Sequence, residues 1–223
     1  EQEPSNLLVA GSIPAGGAIA LLALQGKRNS EGARMIEILL LLTQGLSLLL
    51  PIFVSGIFFI FSIKNHWFEA LNRPIDAGLK IGGARIFGPN KNWRAPVIYI
   101  FFGTIITYLL HVFAPDQVWI ARIYLAEPIS LGLATTSSYA AAELVNSFVK
   151  RRRGRPAGAA GGKVQSFFDN VDGALASGVV LLFFGVPMNL LAVSFILSFL
   201  VHAGTDKLMR SLKLKESKKK RAR

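Results

Sequence analysis

Residues 173–205 read GALASGVVLLFFGVPMNLLAVSFILSFLVHAGT, with no charged side chain between Asp172 and Asp206. A bilayer core takes roughly 20 apolar residues in helical form, so this stretch is too long for one upright crossing. Pro187 divides it. The pattern predicts a tight hairpin of two short crossings that turns at Gly185–Asn189, with the first extended upstream through Val164–Phe168. Two further charge-free windows, from Glu37 to Lys64 and from Arg94 to Asp116, each suffice for one crossing.

A return path is needed between Asp116 and the hairpin, and residues 117–148 supply it. This stretch is apolar on average but carries Arg122, Glu127 and Glu143. An ionisable group inside a span costs roughly 2.5 kcal/mol or more on insertion scales, so its polar face must line a cavity or a partner helix. The expected fold class is all-α: a polytopic integral membrane bundle of five transmembrane helices. The N-terminal stretch Asn6–Gln25, rich in Gly and Ala around Pro14, reads as an additional span, a signal-like segment or a re-entrant piece. The chain opens on Glu1 rather than Met, which leaves room for an upstream piece. The organisation expected is an apolar segment of open role over 1–35, a membrane-embedded domain over 36–206 and a basic tail over 207–223.

Composition agrees. Of 223 residues, 52% are hydrophobic and 17% charged, and the mean hydropathy is +0.44, which is too oily for an ordinary soluble domain. The net charge of +12 could suggest nucleic acid. Its location argues for the membrane instead, because Lys and Arg gather in 64–94, 150–163 and 207–223, each flanking a span. Placing 64–94 in the cytoplasm and threading the spans in order puts all three clusters on that face, as the positive-inside bias demands. The protein is therefore expected in a cell membrane, multi-pass, with its working face cytoplasmic and no nucleic acid among its partners. There is no cysteine, which excludes disulfides and thiolate metal sites. His66, His111 and His202 lie far apart without ligand spacing, which argues against zinc. The tail from Lys207 onward alternates basic and apolar residues, as in a surface anchor for anionic lipid. Gly154–Gly162, GRPAGAAGG, reads as a flexible loop.

Three clusters at the cytoplasmic edge could carry chemistry. Residues 72–94, NRPIDAGLKIGGARIFGPNKNWR, combine Gly and Pro turns with Arg73, Lys80, Arg85, Lys91 and Arg94, which suits close approach to an anion. Residues 143–155, ELVNSFVKRRRGR, place Glu143 on one helical face with Asn146 or Ser147 and end in a cationic run, itself favoured at a helix C-terminus. Residues 168–173, FDNVDG, carry Asp169 and Asp172 at i, i+3. One such Asp could be an N-cap. For the pair, the favoured reading is Mg²⁺, which takes one or two carboxylates plus substrate phosphates, with Glu143 able to complete the set. Carboxylates and cations on one face suit a nucleoside triphosphate with Mg²⁺. No Walker A pattern, Ser-His-Asp arrangement or dinucleotide fingerprint competes.

At these residues the chain resembles the CTP-transferase family of membrane enzymes, and within it the archaeal CDP-archaeol synthase branch, which is related to phosphatidate cytidylyltransferase. LLLPIFVSGIFFIF at 48–61 is similar to the family's Leu-Pro-containing first helix. RPIDAG at 73–78 with RIFGPNKNWRA at 85–95, ELVNSFVKRRRG at 143–154 and FDNVDGAL at 168–175 resemble its later motifs in order. Asn92 stands where the family has Thr, Ala95 where it has Gly, and Glu143 where it has Asp. The resemblance implies attack of a lipid phosphate on the α-phosphorus of CTP, giving a CDP-lipid (CDP-archaeol or CDP-diacylglycerol) and pyrophosphate. It implies Asp169, Asp172, Lys91 and Lys150 as catalytic residues, with Asp169, Asp172 and Glu143 toward Mg²⁺. Gly88, Asn90, Lys91, Asn92, Asn146, Ser147 and Arg151 would bind the nucleotide. The partners implied are CTP, a lipid phosphate and the bilayer, with pairing into a homodimer a further expectation. The alternative from another class is a non-catalytic membrane scaffold or regulator that binds anionic lipid. A transporter for a phosphorylated solute ranks last, because the polar groups cluster on one side.

Overall fold

The computed structural model describes residues 31–157 and 163–211. The expectations for Asn6–Gln25, for 158–162 and for the tail beyond 211 lie outside the described residues. Five α-helices account for most of the rest: α1 (Glu31–Lys64), α2 (Arg94–Phe113), α3 (Pro128–Arg152), α4 (Lys163–Phe183) and α5 (Met188–Ser211). A small antiparallel hairpin, β1 (Lys80–Ile81) with β2 (Ala84–Arg85), sits between α1 and α2, pairing Lys80 with Arg85 and Ile81 with Ala84. Among the described residues the protein is thus all-α apart from this hairpin.

Each helix packs on the next in chain order, and α5 packs back on α1, so the helices form a ring. Their alternating direction puts the loop 65–93, the α3–α4 connection and the C-terminal end of α5 at one end, the basic end. The segment 114–127 and the break between Phe183 and Met188 lie at the other. Among the described residues, α1 and α2 are long and apolar enough to cross a membrane, while Val171–Phe183 and Met188–His202 are shorter apolar helices.

The interior holds small polar side chains beside its aliphatic core, and the outer surface is strongly apolar. Ser47, Ser55, Thr107 and Thr136 are at most 1% exposed, whereas Phe183 is 86%, Leu200 69% and Ile196 64% exposed. The buried hydroxyls donate to carbonyls three or four residues back in their own helices, as Ser55 does to Pro51 at 2.6 Å and Thr136 to Gly132 at 2.6 Å. Small polar residues inside and large apolar ones outside suit a hydrocarbon surrounding, where helices gain from close packing rather than from escaping water. Two glycines permit that approach. A Cβ on Gly103 would lie 2.3 Å from Thr136 Cγ2, and one on Gly132 would lie 2.8 Å from the backbone of Thr104.

The third of the five expected crossings differs from its sequence reading. Residues 117–127 form turns and a 3₁₀ segment, and the helix begins at Pro128, so Arg122 and Glu127 lie outside it. Proline favours the first helical position because its missing N–H costs nothing there. The turns cap the far end of the ring, where Ile120, Ala121 and Tyr124 join a buried cluster with Leu48, Leu110 and Leu190. Pro51, inside α1, lacks the N–H that would bond the Ser47 carbonyl. The Tyr124 hydroxyl supplies that bond at 2.9 Å.

Candidate functional site

At the basic end the loop between α1 and α2 is built around one buried carboxylate. Asp76 is 3% exposed and accepts bonds from the backbone N–H groups of Gly78 (3.1 Å), Phe87 (3.1 Å) and Gly88 (3.0 Å), and from the Arg85 guanidinium. Burial alone would raise its pKa, but these donors outweigh it and hold the carboxyl well below the usual range. Gly88 adopts φ +109°, a conformation closed to most side chains, which lets its N–H turn inward to Asp76. Ile75 N–H donates to the Lys91 carbonyl at 2.9 Å and Trp93 N–H to the Arg73 carbonyl at 3.1 Å. These bonds return the chain alongside itself and set the position of Lys91.

The C-terminal half of α3 faces this loop on one side and α4 on the other. Glu143, Asn146 and Lys150 fall at i, i+3 and i+7, a single stripe about 10 Å long at 1.5 Å per residue. Each reaches across to a neighbour. Lys91 Nζ donates to Glu143 Oε2 at 2.7 Å. The Asn146 amide donates to Asp169 Oδ1 at 2.9 Å and to Asp172 Oδ2 at 2.5 Å. Lys150 Nζ lies 2.5 Å from Asp169 Oδ1. Six of the residues singled out from sequence therefore meet along one line, contributed by a loop and two helices.

The two aspartates are not caps. Helix α4 begins at Lys163, so Asp169 and Asp172 lie within it and project from one face toward α3. Close contact between these helices makes this possible: a Cβ on Gly173 would lie 2.4 Å from the Tyr139 ring. Tyr139 in turn stacks on Tyr99 of α2 with centroids 5.1 Å apart. Both rings line a small cleft together with Lys91, Asn92 and Glu143.

The remaining expected residues take varied places. Gly88 and Asn90 sit together, with Arg151 Nε 3.6 Å from where a Gly88 Cβ would be. Arg151 is 8% exposed and its guanidinium donates to the Arg155 carbonyl, while its Nε is buried without a hydrogen-bond partner. Asn92 donates to Asn72 Oδ1 at 2.8 Å, tying the base of the loop. Ser147 is buried, so of the two candidates beside Glu143 it is Asn146 that reaches the aspartates. Asp76 and Arg152 were not picked out from sequence as functional. The signal for Asp76 was the Asp-Ala-Gly turn, where a short carboxylate commonly bonds nearby N–H groups. Arg152 donates to the carbonyls of Ile81, Ala84 and Arg85 and lies over the Phe148 ring, pinning the hairpin to α3.

Among the described residues, no group of three or more His, Cys, Asp or Glu side chains is gathered to hold a metal ion. Glu143 is paired with Lys91 and lies within electrostatic reach of Asp172. The pair Asp169 and Asp172, oriented by one amide, still fits Mg²⁺ by donor chemistry, since that ion uses one or two carboxylates and leaves its other positions to water and phosphate.

A model of the family described as CarS-like, CDP-archaeol synthase, matches residues 35–218. CDP-archaeol synthases from two strains of Halobacterium salinarum are each 31% identical over 90 residues, covering 40% of this chain and 49% of theirs. The matched stretch thus spans about half the length of those relatives. No solved structure matches the chain.

Proposed function

Since the chain belongs to the CarS-like CDP-archaeol synthase family, we propose that it is a membrane cytidylyltransferase that moves CMP from CTP onto a lipid phosphate. The products are pyrophosphate and a CDP-lipid, either CDP-archaeol or CDP-diacylglycerol. The observation that carries the reading is the line of paired charges on α3, where Lys91, Glu143, Asn146, Lys150, Asp169 and Asp172 converge from three segments. In this reading the helices cross the bilayer five times with the basic end in the cytoplasm, where CTP is found.

A lipid phosphate oxygen attacks the α-phosphorus of CTP, a new P–O bond forms and the bond to the β-phosphate oxygen breaks. Little covalent chemistry falls to the protein, so positioning and charge neutralisation supply most of the catalysis. Lys91 and Lys150 meet the phosphate charge from the two ends of the stripe. Asn146 keeps Asp169 and Asp172 turned to one side, where they would hold Mg²⁺. When bound, that ion would neutralise phosphate oxygens and stabilise the departing pyrophosphate. The loop over Gly88–Asn92, with Arg151 behind it, would shape the nucleotide pocket.

The test is turnover. Purified protein in lipid nanodiscs with CTP, Mg²⁺ and a panel of ester- and ether-linked lipid phosphates is expected to release pyrophosphate and form a CDP-lipid. Asp169→Ala and Asp172→Ala are each expected to lower the rate at least about 100-fold. Salt-sensitive lipid binding with no CTP turnover on any lipid phosphate would favour a scaffold instead.

A further inference from the structure

Each of the two lysines on the α3 line is already neutralised by a carboxylate of the same site. Lys91 is held by Glu143 at 2.7 Å and Lys150 by Asp169 at 2.5 Å. These pairs join the loop to α3 and α3 to α4, so they close the site on both sides. All four side chains keep between 21% and 37% of their surface exposed, which leaves the pairs within reach of solutes and weak enough to exchange. A lysine held in this way offers a phosphate little net charge, and its carboxylate partner repels the phosphate directly.

We propose that the site is shut by exchangeable ion pairs, so that it takes a triphosphate and a divalent cation as a coupled pair rather than independently. This rests on the nucleotide-transfer reading above. Lys91 and Lys150 pass from Glu143 and Asp169 to the phosphates only when those carboxylates are met by cation charge. Such coupling is reciprocal: whatever factor the cation adds to triphosphate affinity, the triphosphate adds to cation affinity. The chain's own acids thereby act as competitors of the triphosphate. Removing one should strengthen metal-free binding, the opposite of what loss of a simple ligand-binding residue does.

Calorimetry in nanodiscs, with EDTA or with Mg²⁺, tests this using CTP and inorganic tripolyphosphate as probes. Glu143→Gln is expected to bind both probes about tenfold more tightly than wild type in EDTA, and to show a smaller gain on adding Mg²⁺. In a Lys91→Met background the same substitution still removes the repulsion of Glu143 but frees no lysine, so its effect should shrink to about threefold or less. The melting curve of each variant confirms that the bundle is intact. If Glu143→Gln leaves EDTA binding unchanged or weaker, or if its effect is undiminished without Lys91, the exchange is overturned while CTP transfer can stand. If tripolyphosphate shows the pattern but CTP binds no better than tripolyphosphate, the exchange holds and the nucleotide reading fails. No binding of either probe under any condition overturns both.

Discussion

The hydroxyl of Tyr124 donates to the carbonyl of Ser47, 77 residues away in the chain, at 2.9 Å. That carbonyl is the one whose intrahelical partner would be the N–H that Pro51 lacks. A bend-prone helix and an irregular segment thus repair each other where the protein has few polar alternatives. Tyr124→Phe should lower stability by about 1–2 kcal/mol, read as the midpoint of unfolding in mild detergent. In a Pro51→Ala background the helix regains its own donor, and the cost of Tyr124→Phe should shrink to a fraction of that.

Gly173 packs directly against the Tyr139 ring where α3 meets α4. Gly173→Ala must push the helices apart, at about 1–3 kcal/mol for an overpacked contact. The shift separates Asn146 from Asp169 and Asp172, so turnover should fall by more than the loss of folded protein explains. Comparing the rate per folded molecule with that of Gly178→Ala, where the added methyl meets nothing within 4 Å, isolates the geometric effect.

Asn146 holds two like-charged carboxylates in one orientation. Asn146→Ala should leave the bundle intact but raise the Mg²⁺ concentration needed for half-maximal turnover about 10- to 100-fold, as loss of an orienting partner commonly does. A titration of rate against Mg²⁺ at saturating CTP measures it. An unchanged Mg²⁺ requirement would remove the aspartate pair from that role.

Asp76 gives the loop its pH behaviour. Because its folded pKa is depressed, its contribution to stability is complete above the unfolded carboxylate value of about 3.9 and is lost only as pH falls through the lower folded value. No change in loop protection from Asp76 is therefore expected between pH 5 and 8. Asp76→Asn should remove the contribution at neutral pH, costing about 2–3 kcal/mol for a buried charge-assisted network. Hydrogen exchange over residues 74–92 should rise while the helices stay protected.

The helical framework was legible because charge marks the ends of the apolar helices. The windows bounded by Lys64, Arg94 and Asp116 became the ends of α1 and α2, and Pro187 fell at the break between α4 and α5. The segment 117–127 was misread because apolar residues there pack as turns on the bundle's end, which average hydropathy cannot tell from a span; Pro128 was the better marker. In the site, Glu143, Asn146 and Asp169 were visible as carboxylates and an amide at helical spacing. The division of labour between Arg151 and Arg152 was not. Adjacent arginines point about 100° apart on a helix, and which of them meets the hairpin depends on a loop fold set by Asp76, far away in sequence. The pairing of each lysine with an acid was equally hidden, because it depends on which segments become neighbours.

The ring has a consequence for biosynthesis. Helix α1 packs against α5, with Gly45 facing Val193 and Ser194, so the first described helix to leave the ribosome must wait for the last before its partner surface is covered. Until then the groove around Gly45 stays open to any other apolar helix. The seam between α1 and α5 is therefore where a nascent chain is most open to mistaken pairing, and where a chaperone has the longest time to act.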